Sequence, residues 1–445
     1  MSDQNHLSES AVPASGSDWK LIMKMLLPSL LGIFIFFVPL TINGRTTIPL
    51  DHMVTGLRTL LGSGTAWYAL AMIVAGALYP LITGKWKESL TEKIFTLLKL
   101  FGVLAAILAI SGWGPAVLQA PNMLPFLFNT LVVSVGLIVP LGAIFLALLI
   151  SYGLLEFVGV MCQPFMRPLF RTPGRSAIDA VASFVGSYSI GLLITNRVYT
   201  ARQYSAKEAA IIATGFSTVS ATFMLVVART LDLMSMWNLY FWLTLLITFI
   251  VTAITVRLPP LRGMDDQCER VDDTIPARER IPAAWKAGLE AASRAPSLAQ
   301  GVLLNVREGL IMAISILPSI MSVGLIGLLV ANHTPFFDWL GLIFYPFVAV
   351  WGLPEALELS RAAAAGLAEM FLPALLMREA ELVARFAAAI VSVSSILFFS
   401  ASIPCILSTS IPLSVPRILA VWFIRVALSL FLAVPAAWFA VWMAG

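Results

Sequence analysis

Residues 155–165 read Leu155-Glu156-Phe157-Val158-Gly159-Val160-Met161-Cys162-Gln163-Pro164-Phe165, and residues 337–347 read Phe337-Asp338-Trp339-Leu340-Gly341-Leu342-Ile343-Phe344-Tyr345-Pro346-Phe347. An acid, an aromatic, a glycine and a closing Pro-Phe recur in register, 182 residues apart. Membrane proteins built from two copies of one unit commonly bind their solute at the seam between the copies. The recurrence therefore bears on function as well as fold.

The bilayer itself follows from composition. Of 445 residues, 59% are hydrophobic and 12% charged, more apolar surface than a soluble core can hide. About 20 apolar residues make one helical crossing, and such runs occur at 21–40, 65–81, 94–111, 124–153, 206–228, 237–256, 308–330, 384–402 and 415–443. The net charge of +4 reports topology, and no basic stripe interleaved with aromatics points to nucleic acid. Cys162, Cys268 and Cys405 are scattered and form neither a disulfide framework nor a zinc site. The run 21–40 is long and has no small-residue cleavage site after it, so it reads as a retained span and not a signal peptide.

Lysine and arginine gather in cytoplasmic loops. Lys20 and Lys24 put the N-terminus inside, and Lys85, Lys87 and Lys93 return to the same side two crossings later. The stretch 257–305 is the one sizeable polar segment, with Arg257, Arg262, Arg270, Arg278, Arg280, Lys286 and Arg294 beside a similar number of acids. It reads as a cytoplasmic linker. Residues 176–199 could cross once, since 24 helical residues reach about 36 Å. Yet both flanks are basic, and the middle, Gly186-Ser187-Tyr188-Ser189-Ile190-Gly191, is a weak place for a continuous helix. A re-entrant hairpin satisfies both facts, whereas an ordinary span would send the linker's basic residues outside. The matching stretch 354–377 carries its own breaks at Gly366 and Pro373.

These counts give an all-α polytopic membrane protein of about nine transmembrane helices and two re-entrant hairpins in an inverted repeat. Its parts are a cytoplasmic tail (1–20), N-terminal membrane helices (21–123), a first repeat (124–256), the linker (257–307) and a second repeat (308–445). Further matches are Pro173 with Pro354, Ala182-Ser183-Phe184 with Ala365-Gly366-Leu367, and Ser217-Thr218-Val219-Ser220 with Ser392-Val393-Ser394-Ser395.

Three segments carry a family resemblance: FVGSYSIGLLITNRVY (184–199), AKEAAIIATGFSTVSATF (206–223) and AGLAEMFLPAL (365–375). They resemble the nucleoside-recognition Gate domain, and from residue 21 onward the chain looks like the YjiH family of bacterial inner-membrane proteins. The Gate domain is shared with concentrative nucleoside transporters and spore-maturation membrane proteins, and is similar to part of the ferrous-iron transporter. The resemblance implies a transporter-like fold with hairpin tips at the substrate site, a bacterial inner-membrane location, and a second Gate-domain subunit or a second copy of the chain as partner. It does not imply nucleosides, since fold does not fix function.

An acid within the bilayer usually has a task or a partner. Glu369, near the second hairpin tip, reads as a substrate acceptor or a proton carrier, against the alternatives of packing with an arginine or capping a helix end. At the first tip Gly186, Ser187 and Ser189 offer bare backbone and hydroxyls, and Asn196 adds an amide on the outgoing arm; irregular backbone survives at depth only where it lines a protein cavity. Ser217 with Ser220, and Ser392 with Ser395, each share a helix face at i,i+3. Close helix packing with hydroxyls bonded to i−4 carbonyls is the competing account of all four. Glu156 and Asp338 read as anchors of the interfacial turn, and Asp179 as an acid tolerated near the membrane edge. Arg425, inside the last span, either snorkels or partners a carboxylate.

Enzyme chemistry has little to stand on. His6, His52 and His333 lie in the tail and in loops, HExxH and Walker A sequences are missing, and Gly186–Gly191 spaces its serine as G-x-x-S-x-G where a nucleophile elbow needs G-x-S-x-G. No metal or organic cofactor is expected. The reading is a secondary transporter for a small polar organic solute, nucleoside-like or amino-acid-like, coupled to H⁺ or Na⁺. The rival is a subunit of a heteromeric permease, or a non-transporting membrane assembly or regulatory protein, which has less need of two costly hairpin breaks.

Overall fold

A backbone in lipid must close its hydrogen bonds within itself, which for an apolar run of twenty residues means helix. The computed structural model describes residues 17–42, 44–88, 90–121, 123–185, 188–268, 275–400, 402–407 and 409–444. Among them, seven helices are long and apolar enough to cross a membrane: Trp19–Phe37, Gly64–Thr83, Glu92–Ser111, Leu124–Phe145, Met234–Thr255, Leu298–His333 and Val415–Ala444. Each lies on an expected span. The two remaining expectations, at 206–228 and 384–402, are corrected: neither is a continuous helix.

Both are broken at mid-length. Ala206–Gly215 and Ala221–Thr230 flank the first interruption, and Leu382–Ser394 and Ser402–Leu407 the second. In each gap one three-residue turn replaces the helical bond. The Thr218 N–H donates to Phe216 O at 2.7 Å, and the Leu397 N–H to Ser395 O at 2.7 Å. Ile396, at the centre of the second turn, has a φ of +64°, a conformation a β-branched residue adopts only under strain.

The repeat now reads element by element. A long helix leads to the interfacial helix Leu154–Phe165, the hairpin arms Ser176–Val185 and Tyr188–Thr200, the broken helix, and the span Trp237–Thr255. The second copy runs Leu298–His333, Phe336–Ala349, the arms Ala356–Ala365 and Leu372–Leu376, the broken helix and Val415–Ala444. An odd number of crossings per unit, three, gives the copies opposite orientations across the membrane. The hairpin arms touch: a Cβ at Gly191 would fall 1.7 Å from the Ser183 hydroxyl oxygen.

The recurrent acid and glycine have a visible use in the second copy. Asp338 pairs with Arg361 of the hairpin arm, and a Cβ on Gly341 would meet the Arg361 Cα at 2.8 Å. Acid and glycine together bring the arm against the interfacial helix. Among its described residues the linker holds a helix packed on the membrane part. Its helix Arg280–Arg294 lies against the first interfacial helix where Gly153 and Gly288 meet, and Lys24 donates to Ala295 O at 2.6 Å from the first span.

Between the first two spans stand a short antiparallel pair, Leu40–Ile42 with Arg45–Thr47, and the helix Pro49–Leu61. The helix is fixed to the first repeat by Arg229, 3.5 Å from the fully buried Asp51 and 3.3 Å from Thr55. The spans at 64–83 and 90–111 pack on Leu298–His333 through glycine. Pro318 lacks an N–H and so frees the Ile314 carbonyl, and a Cβ at Gly76 would sit 1.8 Å from that oxygen. At Gly102 it would sit 2.1 Å from Pro318 O. Such close backbone approach is how helices associate where water gives no hydrophobic drive. Gly76→Val and Gly102→Val each lower the thermal unfolding midpoint in detergent, overpacking costing about 1–3 kcal/mol. Gly56→Ala, whose added methyl meets nothing within 4 Å, does not lower it.

Candidate functional site

Helix ends released in the bilayer's interior need partners, and the partners chosen here decide where a cavity opens. The second break runs beside the turn of the second hairpin: the Phe399 N–H donates to Leu367 O at 2.8 Å and the Ser400 N–H to Ala368 O at 3.0 Å. Ser402 holds the break from below, accepting from the Phe398 N–H at 2.9 Å and donating to Ile396 O at 2.8 Å. Glu369 projects from the turn so fixed. It is 5% exposed, with the Ser400 hydroxyl and the Phe371 backbone beside its carboxyl group.

The C-terminal ends of the two broken helices converge on one cation. Arg425, 1% exposed, donates to Ser394 O at 2.8 Å and to the Thr252 hydroxyl at 3.0 Å. The same hydroxyl lies 2.9 Å from Gly215 O and 2.8 Å from Thr248 O. Gly215 and Ser394 are the last helical residues before the two breaks, so Arg425 and Thr252 bridge both ends. A cation is favoured there by the helix dipole. Of the two sequence readings of Arg425, neither holds: its partners are a carbonyl and a hydroxyl. A second arginine works across the repeats, Arg385 donating to Leu231 O at 3.0 Å just beyond the helix Ala221–Thr230.

A cavity of about 620 Å³ opens between these pieces. Tyr188 of the first hairpin, Val219 of the first break, Glu369 and Met370 of the second turn, and Phe398 and Ser400 of the second break all line it. Tyr188 meets Phe398 edge-on, ring centres 6.1 Å apart, so an aromatic pair joins the two repeats at the wall. The rest of the wall includes Ser315, Ile316, Ser319 and Ile320 of Leu298–His333, Phe223 after the first break, Cys405 beyond the second, and Glu88, Glu92, Phe95 and Lys99.

Of the residues singled out from sequence, Glu369 faces this cavity. Gly186 and Ser187 lie outside the described residues, as does the Ser189 side chain. Asn196 is turned elsewhere, accepting from the Ser410 N–H at 2.9 Å. Ser217 lies 3.4 Å from Ile212 O, Ser220 2.7 Å from the Thr222 hydroxyl, and Ser395 3.3 Å from Ser392 O. These three and the buried Ser392 are absent from the cavity's lining. The structure also shifts the serine register: Ser217 and Ser220 stand in the first break, whereas Ser392 is helical and Ser395 only begins the second. Asp179 receives the Tyr204 hydroxyl at 2.8 Å, away from the cavity. Sequence reading passed over Tyr188, Ser400, Cys405 and Lys99. For Lys99 a signal existed, a charge well inside an apolar span.

Comparison with known proteins adds the following. The model of the nucleoside-recognition Gate family matches residues 132–234. An uncharacterized protein of Alkalihalophilus pseudofirmus is 30% identical over 439 residues, covering 92% of each chain. The sporulation integral membrane protein YlbJ of Bacillus subtilis is 39% identical over 62 residues, 14% of this chain and 15% of that one. Two variants of CNTnw solved in an outward-facing state each cover 95% of this chain, at 13% and 14% identity and TM-scores of 0.42 and 0.43.

Arg425→Met removes the donor from the Ser394 carbonyl and the Thr252 hydroxyl. Each buried group left unsatisfied costs about 1–3 kcal/mol. The variant unfolds at a lower temperature than wild type in detergent, and amide exchange between residues 395 and 400 accelerates more than exchange in Val415–Ala444. Arg425→Lys restores part of the loss.

Proposed function

This chain belongs to the nucleoside-recognition Gate family of membrane proteins, and from that premise we propose that it is a secondary transporter of a small polar organic solute. The observation that carries the proposal is the convergence of the first hairpin, the second hairpin turn and both helix breaks on one cavity. A merely structural bundle gains nothing from interrupting four elements around one cavity, since each interruption frees backbone groups that a membrane span would otherwise satisfy within its own helix. Such interruptions supply oriented N–H and C=O groups to a solute.

In this reading Glu369 is the acceptor at the closed end of the cavity, and Tyr188 with Phe398 gives an apolar face for a ring or side chain. Glu88, exposed and close in sequence to Lys85 and Lys87, marks the other end. The positive-inside rule puts that end in the cytoplasm, so the conformation is open inward. Alternating access would close it by moving hairpins and breaks against the N-terminal helices. Coupling to H⁺ or Na⁺ belongs to the same proposal, with Glu369 as the group that carries a proton if H⁺ is the ion.

The experiment is a thermal-shift screen of the purified protein against nucleosides, amino acids, dipeptides and small carboxylates, since a ligand of the native state raises apparent stability. It is followed by uptake of the hits into proteoliposomes. Glu369→Gln, nearly isosteric, lowers uptake at least tenfold. Unchanged uptake would remove Glu369 from the site, and unchanged response to a pH gradient alone would remove only its role as proton carrier.

A further inference from the structure

Three of the four charged residues that line the cavity, Glu88, Glu92 and Lys99, come from outside the Gate repeats, and of these three Lys99 lies furthest along its helix from the mouth. It lies nine residues into the helix Leu90–Ser111, about 14 Å along the axis at 1.5 Å per residue. Among the described residues it makes no hydrogen bond and no ion pair. Glu92, seven residues earlier on the same face and nearer the mouth, is the acid whose charge acts on Lys99 along the helix without pairing with it directly, and it has a further interaction of its own. Glu369 lines the same cavity from the second hairpin turn and is likewise in no ion pair. A cation and an acid thus face one solvent-sized space without meeting. Burying either alone is costly, and a solute of matching polarity would satisfy both.

We infer that the cavity takes a solute bearing an anionic group, held by the Lys99 ammonium, together with an amino or hydroxyl donor, held by Glu369. This rests on the transporter reading and narrows it: the preferred cargo is a small zwitterion or hydroxylated anion, and an uncharged nucleoside is a poor one. Lys99 acts as a point charge with three donors on a flexible stem, suited to a carboxylate or a phosphate alike. Its place in a helix outside the repeats makes the cargo's charge a property of the N-terminal helices, while the hairpins read its polar groups.

Cys405 lines the cavity and reports occupancy. The test uses full-length protein carrying Cys162→Ser and Cys268→Ser, with alkylation of Cys405 by N-ethylmaleimide followed against solute concentration. Two matched pairs separate the sources of the anion: glycyl-leucine against its C-terminal amide, and uridine 5′-monophosphate against uridine. The expected result is that in at least one pair the anionic member protects Cys405 at a tenfold lower concentration than its partner. Lys99→Gln reduces that preference to within about twofold, and Lys99→Arg retains it. Replacing a lysine in a span by a neutral residue eases insertion, and Lys99→Arg keeps the charge as a folded control. The inference is overturned if the uncharged members protect as well as the anionic ones, or if the preference survives in Lys99→Gln, as a lysine that merely snorkels would allow. In both cases protection by some solute leaves the transporter reading standing. Protection by none, in wild type and variant alike, takes down both.

Discussion

Two apolar helices stop short of a full crossing, and one guanidinium makes that tolerable. Without Arg425 the carbonyl of Ser394 would lose this donor, and the Thr252 hydroxyl, which also reaches Gly215 O and Thr248 O, would lose the group it accepts from. Lysine could not do the same, because only the planar fork offers donors in two directions from one buried head. An arginine at the centre of a span costs about 2.5–3.5 kcal/mol on insertion scales. Here that cost is offset by hydrogen bonds to a charged donor, each worth about 1.5–3 kcal/mol, and by two helix dipoles aimed at it. The arginine therefore does not sit in the membrane in spite of the breaks. The breaks and the arginine require one another.

From that junction the site follows in a chain of local consequences. The broken helix beyond Ser394 must turn, and the turn at Ile396 takes a backbone conformation that strains a β-branched side chain. The strand-like segment after it finds its partners on the second hairpin, Leu367 and Ala368. That pairing leaves residue 369 just past the paired backbone, its carboxyl group beside the Ser400 hydroxyl. Glu369 is thus placed largely by the backbone pairing of its neighbours with a segment some thirty residues away, which is why neither its own sequence context nor a propensity argument fixes where it points.

The sequence was legible where the physics is one-dimensional. Seven long helices could be read because apolar length alone decides a crossing, and the repeat because Glu156 with Gly159 and Asp338 with Gly341 recur in register. The hairpins were legible through basic flanks around Gly186–Gly191. The breaks were not: Ser395-Ile396-Leu397-Phe398-Phe399-Ser400 has neither glycine nor proline and reads as ordinary membrane helix. What interrupts it is the competition of the hairpin backbone, a contact between residues some thirty apart. Arg425 was misread for the same reason, since a capped carbonyl leaves no mark on the sequence near the cation. The serines drew attention as hydroxyls at regular spacing, yet Ser217 and Ser220 are spent on the ends of their own helices. Lys99 was passed over because the repeat directed attention to the copies and away from the helices before them.

The contacts at Gly76 and Gly102 set a boundary on motion. A carbonyl pressed against a glycine Cα allows neither rotation of the helix, which would drive a neighbouring side chain into the same oxygen, nor axial sliding, which would do so one residue later. The spans at 64–83 and 90–111 are therefore keyed to Leu298–His333 as a stator. Lys99 rides on that stator and Glu369 on the hairpin that faces it. In the proposed transport cycle a stroke of the hairpin would change the separation of these two charges directly, so that the electrostatic coordinate and the mechanical coordinate would be one and the same.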